Sequence, residues 1–286
     1  MYKLLNAGFN RLIKNKLFWG LILITICMAC FFLKIRDDLG VSIELLTLPH
    51  IATIGFFISI FTTLFVGLEY ANGTIRNKIV VGHSRTKIYL SNLIISITVG
   101  IFIELVYILF ISIIGKTIID DLPLLMPVSQ FITILLHIVM IIVMYSTIFN
   151  CITLLCNDIT VSTIICIMFV VIMYIADIKL AIIANTEKYN YEITYNEKGE
   201  ETKQIIGLNP NYPGETNQNI AKNIRNFMPV GQTNQIMEVV SEQTGQIIMN
   251  YKNEIPDTKH LFGYSLGNII IINAMGIYVF NKKEIK

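Results

Sequence analysis

The sequence predicts an all-α polytopic membrane protein with six transmembrane helices. The chain has 286 residues, of which 54% are hydrophobic and 15% are charged, whereas soluble domains are typically about 45–50% apolar and about 25% charged. Six long apolar runs are present, and a helix needs roughly 20 such residues to cross a bilayer. The excess of apolar residues excludes an ordinary soluble enzyme and an intrinsically disordered chain.

The first segment, residues 1–16, predicts an amphipathic helix on the inner membrane surface. Its basic and amide side chains fall largely on one side, and its apolar side chains recur at helical spacing on the other. The apolar face contains Leu4, Leu5, Gly8, Phe9, Leu12 and Ile13. The alternative is the basic flank of a signal anchor, but the periodicity favours an interfacial helix.

Five of the predicted spans fill residues 17–184, and the sixth lies in residues 261–286, which end in a basic tail. Each span is a long apolar run with few charges. The six spans are Leu17–Leu33, His50–Leu68, Leu90–Ile114, Val128–Leu155, Ile159–Ile175 and Leu261–Phe280. An even number of spans places both termini on the same side of the membrane.

The distribution of Lys and Arg orients these spans, because basic residues in short loops resist translocation. With both termini in the cytoplasm, eleven basic residues lie on the inner side: Lys3, Arg11, Lys14, Lys16, Arg76, Lys78, Arg85, Lys87, Lys282, Lys283 and Lys286. The short outer loops then carry three: Lys34, Arg36 and Lys116. The sequence therefore predicts cytoplasmic termini.

The loop at 69–87, between the second and third spans, predicts a short helix at about Thr74–Val81. Residues that can cap this helix, end it or begin the next one flank it: Asn72, Thr74, Gly82 and Ser84. Its apolar residues form a stripe, Ile75, Ile79 and Val80. Two interpretations stay open. The stripe either binds a partner or covers neighbouring helix ends, in which case the basic residues of the loop only enforce topology.

Residues 185–260 are polar and predict a small α+β extracellular domain between spans five and six. Residues 189–195 alternate between apolar and polar side chains, a turn follows at Asn196–Gly199, and residues 202–206 complete a hairpin. Helical spacing then appears at Thr216–Met228 and from Gln232 to about Met249.

Motifs of common enzyme classes are absent from the sequence. It contains no G-x-x-x-x-G-K-[ST], H-E-x-x-H or G-x-S-x-G, and its four histidines are scattered along the chain. We therefore expect no catalytic residue, no metal site and no bound cofactor in this chain.

Glu104 and His137 lie at similar predicted depths in spans three and four. An ionisable group near the middle of a membrane is costly and is a candidate for function. The pair is a hypothesis for an intramembrane polar contact or a substrate pathway, and the alternative is that Glu104 is protonated or that the contact only fixes helix packing.

Three motifs and the order of the segments carry a resemblance to a known family. The motifs are residues 69–78 (EYANGTIRNK) with residues 82–85 (GHSR), residues 228–232 (MPVGQ), and residues 280–286 (FNKKEIK). Over essentially the whole chain, they resemble the permease subunits of bacterial ABC exporters, the ABC type-2 family. The first motif is the most specific of the three.

The resemblance implies that the loop contains a coupling helix, which docks on a separate ATPase subunit that binds ATP and Mg. The docking element would be Asn72, Gly73, Thr74, Ile75, Arg76, Asn77 and Lys78, with a return turn at Gly82, His83, Ser84 and Arg85. It also implies a second permease copy or paralogue, with the pathway at their interface, in the bacterial plasma membrane.

The expected substrate follows from the resemblance and from spans that are rich in apolar residues and poor in charge. Both favour export of amphipathic or antimicrobial peptides, with drug or lipid efflux as the second hypothesis. A rival of a different class is a peptide-sensing or immunity subunit that transports nothing. We expect no nucleic-acid partner.

Overall fold

The computed structural model describes residues 1–36, 42–118, 122–156, 158–195, 201–245 and 258–284. Its helices are α1 (Tyr2–Ile13), α2 (Lys16–Arg36), α3 (Ile43–Ala71), α4 (Thr74–Val80), α5 (Arg85–Ile118), α6 (Val128–Leu155), α7 (Ile159–Asn185), α8 (Glu215–Phe227), α9 (Pro229–Thr244) and α10 (Thr258–Lys282). Its strands are β1 (Tyr189–Tyr195) and β2 (Glu201–Leu208). Within these described residues, six helices are long and apolar enough to cross a membrane, namely α2, α3, α5, α6, α7 and α10.

The central helix of the bundle is α3. It packs against α2, α5, α6, α7 and α9, and 67% of its most apolar stretch is buried, compared with 11% for α10. Stacked aromatic rings fill the interior, with Phe61 against Phe65 and Tyr145 against Phe149. The outer surfaces of α7 and α10 are therefore left to lipid or to another chain.

Both ends of the chain lie at the end of the bundle that carries α4. Arg11 of α1 forms an ion pair with Glu69, near the end of α3, at 2.8 Å. Arg85, the first residue of α5, donates hydrogen bonds to the carbonyls of Phe280 and Asn281 at the end of α10. An even number of spans requires both termini to lie at the same end of the bundle. This shared end is here called the α4 end.

The second, third and fifth predicted spans are too short, and the third, Leu90–Ile114, is extended at both ends in α5 (Arg85–Ile118). The second span begins at Ile43 rather than at His50, because the helix continues through Pro49. Proline lacks only its own backbone N–H donor, so a single helical hydrogen bond is lost there. The fifth continues past Ile175 to Asn185. Its polar Asp177 is tolerated because Arg225 of α8 binds it at 2.9 Å.

The predicted hairpin is present, with antiparallel pairing from Tyr189 opposite Leu208 to Tyr195 opposite Glu201. Its predicted turn at Asn196–Gly199 lies outside the described residues. The same holds for residues 246–257 of the predicted extracellular domain and for residues 285–286 of the basic tail.

In its described residues, the segment 185–260, predicted as a small extracellular domain, contacts the bundle through α8 and α9. α9 packs against α3, α6 and α7, and Val230, Ile236 and Val240 are fully buried. Gln232 and Thr233 of α9 are buried with hydrogen-bond partners. Gln232 donates to the carbonyl of Asn226 at 2.7 Å and accepts from the Ser265 hydroxyl at 2.8 Å. In α9, part of the polar sequence therefore corresponds to paired groups in the interior.

The turn between α8 and α9 requires a glycine at residue 231. A Cβ atom at this position would lie 2.3 Å from the carbonyl oxygen of Arg225. We expect Gly231→Ala to lower the free energy of unfolding by about 1–3 kcal/mol, as overpacking does, measured by thermal unfolding of the purified protein in detergent. Gly267→Ala is the control, because a Cβ there meets nothing within 4 Å. Equal stability of the two variants would contradict the close approach.

Candidate functional site

α4 is a seven-residue helix held between two turns that require positive φ. Gly73 precedes the helix at φ 65°, and Gly82 follows it at φ 93°. L-residues rarely adopt such values, whereas glycine does so without steric cost. The two turns reverse the chain over a short distance and place α4 across the ends of α3 and α5.

The predicted capping residues of this loop are only partly correct. Gly73 precedes the first turn of α4, and no side chain caps it, so the predicted caps Asn72 and Thr74 are wrong. Gly82 occupies the left-handed position as predicted. The Ser84 hydroxyl accepts from the Lys87 amide at 3.4 Å, which agrees with its predicted role at the start of α5.

The apolar stripe predicted on α4 divides between the interior and the surface. Ile75 is 0% exposed, and Ile79 packs partly against the same core. Val80, in contrast, is 78% exposed, and so is the following Val81. Ile75 is packed against the rest of the chain, as the second interpretation expects, and it is not part of the exposed surface.

The exposed surface of this hairpin, here called the α4 surface, combines an apolar pair with polar neighbours. It consists of Asn72, Arg76, Asn77, Val80, Val81, Gly82 and Ser84. The other residues of the predicted docking set lie half-buried beneath or beside it: Gly73, Thr74, Lys78, His83 and Arg85. Two adjacent valines that are mostly exposed beside an arginine are typical of a protein-binding surface.

One side of α4 is fixed by a buried carboxylate. Glu69 is 2% exposed and contacts Lys78 of α4 at 2.5 Å, Arg11 of α1 at 2.8 Å and the Asn92 amide of α5 at 3.0 Å. The Arg11 guanidinium also lies 3.8 Å from the centre of the Phe65 ring. Burial lowers the pKa of Arg11, and the Glu69 carboxylate opposes that shift. These residues, the Glu69 junction, join four helices.

Beyond α4, two cations bind carbonyl groups at the ends of other helices. Arg85 donates to the carbonyls of Phe280, Asn281 and Lys283 at the end of α10. The Lys283 ammonium donates to the carbonyls of Leu154 and Leu155, at 2.9 and 2.8 Å, at the end of α6. Positive charge is favoured there because the last carbonyls of a helix have no partner within it. Burial lowers the pKa of Lys283. Arg85 and Lys283 form the carbonyl clamp.

The acidic residue predicted in the third span has a different partner from the one expected. Glu104 of α5 contacts Nδ1 of His50 on α3 at 2.6 Å, and both residues are buried. The Tyr107 ring stacks on the imidazole with centroids 4.3 Å apart. Among the described residues, neither Nε2 of His50 nor Oε1 of Glu104 has a hydrogen-bond partner.

His137 does not form the predicted pair with Glu104. Its Nδ1 donates to the Thr133 carbonyl at 2.9 Å, and its ring lies 3.7 Å from that of Phe262 on α10. The predicted pairing failed because the second span was started at His50. In the structure, α3 begins at Ile43, which carries His50 into the bundle beside α5.

Four contributors to the site were not recognised as site residues from the sequence: Arg11, Glu69, Asn92 and Lys283. Glu69 carried a usable signal, since an acid at the end of a long apolar run needs a partner. Lys283 binds main-chain carbonyls, and no sequence motif reports such a contact.

Comparison with known proteins gives no identification, since no family model and no curated protein matches the chain. Among the described residues, no group of three or more His, Cys, Asp or Glu side chains lies close enough to hold a metal ion. The site described above is a surface held in place by charge pairs.

We expect Glu69→Ala to destabilise the protein, because Arg11, Lys78 and Asn92 lose a shared buried acceptor. Breaking a buried ion pair costs about 3–5 kcal/mol, so the midpoint of thermal unfolding in detergent should fall by about 5–10 °C. Glu284→Ala is the control, since it removes the same charge from an exposed position at the α4 end. Similar midpoints for the two variants would show that the Glu69 junction contributes little.

Proposed function

We propose that this chain is the permease subunit of an ATP-driven ABC exporter and that α4 is its coupling helix. The α4 surface is the observation that supports this best, because it presents Val80 and Val81 to solvent on a helix that the rest of the chain holds rigidly. A separate ATPase subunit would bind this surface and supply the ATP site that the sequence lacks.

The contacts around α4 would transmit a movement of the ATPase to the membrane helices. A displacement of α4 acts on α3 and α1 through the Glu69 junction. It acts on α10 and α6 through the carbonyl clamp. The four helices α1, α3, α6 and α10 would therefore move together. A ligand that binds one of two arrangements of a bundle more tightly shifts the equilibrium toward that arrangement.

The proposed assembly contains two permease copies or close paralogues. The membrane-spanning stretches of α7 and α10 are 17% and 11% buried within one chain, so large apolar surfaces remain for lipid or a second copy. We place the α4 end in the cytoplasm of a bacterium, because the basic residues of the sequence concentrate there.

For the substrate, we propose amphipathic or antimicrobial peptides. The spans offer broad apolar surfaces with few charges, which fits an amphipathic chain better than a small ion. Drug or lipid efflux is the second candidate. A sensing or immunity subunit would bind the peptide and move nothing.

The coupling assignment is tested by Val80→Asp and Val81→Asp. Each places a charge on the α4 surface without disturbing the interior, so the protein should fold while its affinity for the co-expressed ATPase falls at least about tenfold. Copurification and ATP hydrolysis by the complex measure this loss. Asn10→Asp, an exposed position on α1, adds the same charge at the same end and should retain the ATPase.

Ile75→Asp separates docking from folding. Because Ile75 is fully buried, this variant should fail to accumulate as folded protein, whereas the valine variants should elute as the unmodified protein does in gel filtration. The coupling assignment is wrong if folded Val80→Asp and Val81→Asp proteins both keep the ATPase at full affinity.

The substrate proposal is tested with the complex reconstituted in vesicles. We expect amphipathic peptides to stimulate ATP hydrolysis and to accumulate on the side opposite the ATPase. Stimulation by small drugs or lipids alone would favour the second candidate, and peptide binding without either effect would favour a sensing subunit.

A further inference from the structure

α8 presents three separate faces, and one of them is apolar and uncovered. Ala221 and Arg225 are buried against α7. Asn219 and Lys222 are exposed on a polar face. Ile220, Ile224 and Phe227 share the third face and are 52%, 43% and 48% exposed. Their spacing forms a continuous stripe along the helix, which nothing in the proposed function uses.

Contacts to α10 place the end of α8 at the depth of the membrane-spanning stretch. The amide of Asn268 donates to the Phe227 carbonyl at 2.7 Å, and the Phe227 ring packs edge-on against Tyr264. That stretch of α10 begins at His260 and has 23 residues, close to the length that a bilayer requires. Asn268 therefore lies about 12 Å along the helix from its start, at about 1.5 Å per residue.

Contacts to α7 give the same depth independently. Gln218, in the first turn of α8, donates to the carbonyl of Thr186, directly after the end of α7. Near the other end of α8, Arg225 binds Asp177 at 2.9 Å and Glu238 of α9 at 3.0 Å. Asp177 lies about 12 Å along α7 from Asn185. α8 thus descends from the end of α7 into the bundle by roughly the thickness of a headgroup layer and the first part of the acyl chains.

The buried ion pair fixes which face of α8 turns outward. Arg225 is 4% exposed and Asp177 is 1% exposed, so rotating α8 about its axis would separate the two buried charges at a cost of several kcal/mol.

We propose that the Ile220–Ile224–Phe227 stripe is a lipid-binding surface in the leaflet opposite the α4 end, with Ile220 at the level of the headgroups and Ile224 and Phe227 among the acyl chains. The occupant follows from this depth. An apolar face at acyl-chain depth that no described part of the chain covers meets hydrocarbon, whereas the same stripe in water would be an exposed patch that soluble proteins avoid. α8 and α9 then form a segment that enters the membrane and leaves it on the same side.

Tryptophan scanning tests this proposal, because the chain contains a single tryptophan, Trp19. In a Trp19→Phe background, Ile224→Trp and Lys222→Trp report positions about 3 Å apart in depth on the apolar and polar faces. The proteins are reconstituted in phosphatidylcholine–phosphatidylglycerol vesicles, and their fluorescence is quenched either by lipids brominated on the acyl chain or by acrylamide in water.

For Ile224→Trp we expect blue-shifted emission and a ratio of bromolipid to acrylamide quenching at least about threefold higher than for Lys222→Trp. Equal acrylamide quenching at the two positions would overturn the proposal in favour of a water-exposed helix. Protection of Ile224→Trp from both quenchers would overturn it in favour of a protein cover, such as a second copy. Phe227→Trp repeats the measurement if the Ile224 variant unfolds in detergent before reconstitution.

Discussion

The Glu69 carboxylate is buried at the end of α3, where it binds groups from α1, α4 and α5 at once. An acid in such surroundings is stable only when it is paired, because desolvation of an unpaired charge costs several kcal/mol. Two further buried acids are paired in the same way at other depths of the bundle. Glu104 meets His50 between α5 and α3, and Asp177 meets Arg225 between α7 and α8. Each pair fixes the relative position of two elements that apolar packing alone would leave free to slide or rotate.

The buried position of Ile75 gives α4 an orientation of its own before any partner binds. With one face packed on the bundle and Lys78 held by Glu69, the opposite face has no alternative to solvent. A surface that is already ordered loses little conformational entropy on binding, so more of the contact energy appears as affinity. A proposed ATPase would therefore meet a preformed α4 surface rather than a loop that folds upon contact.

Sequence reasoning located the elements well and their contacts poorly. The span Val128–Leu155 was predicted with its observed ends, because an uninterrupted apolar run has clear limits. The start of α3 was missed, because Pro49 resembles a helix boundary and its tolerance depends on neighbouring packing. That error placed His50 at the very end of the second span, and Glu104 was matched with His137 instead. The interior position of α9 was also missed, since hydrogen bonds from Gln232 to distant groups turn a polar sequence into a buried helix.

The two ends of the bundle are connected through α3 and α6. Near α4, α3 carries the Glu69 junction, and the end of α6 is bound by the Lys283 ammonium through main-chain carbonyls. At the opposite end, α9 packs against both helices. A carbonyl contact holds the helix backbone itself and is insensitive to which rotamers the α6 side chains adopt. If α4 moves as proposed, α3 and α6 shift as rigid rods, and α9, which rests on their far ends, is displaced with them. Polar side chains of α9 are hydrogen-bonded to α7 and α10. If α9 moved without these helices, those side chains would lose their partners in an apolar interior, so the three helices would move together.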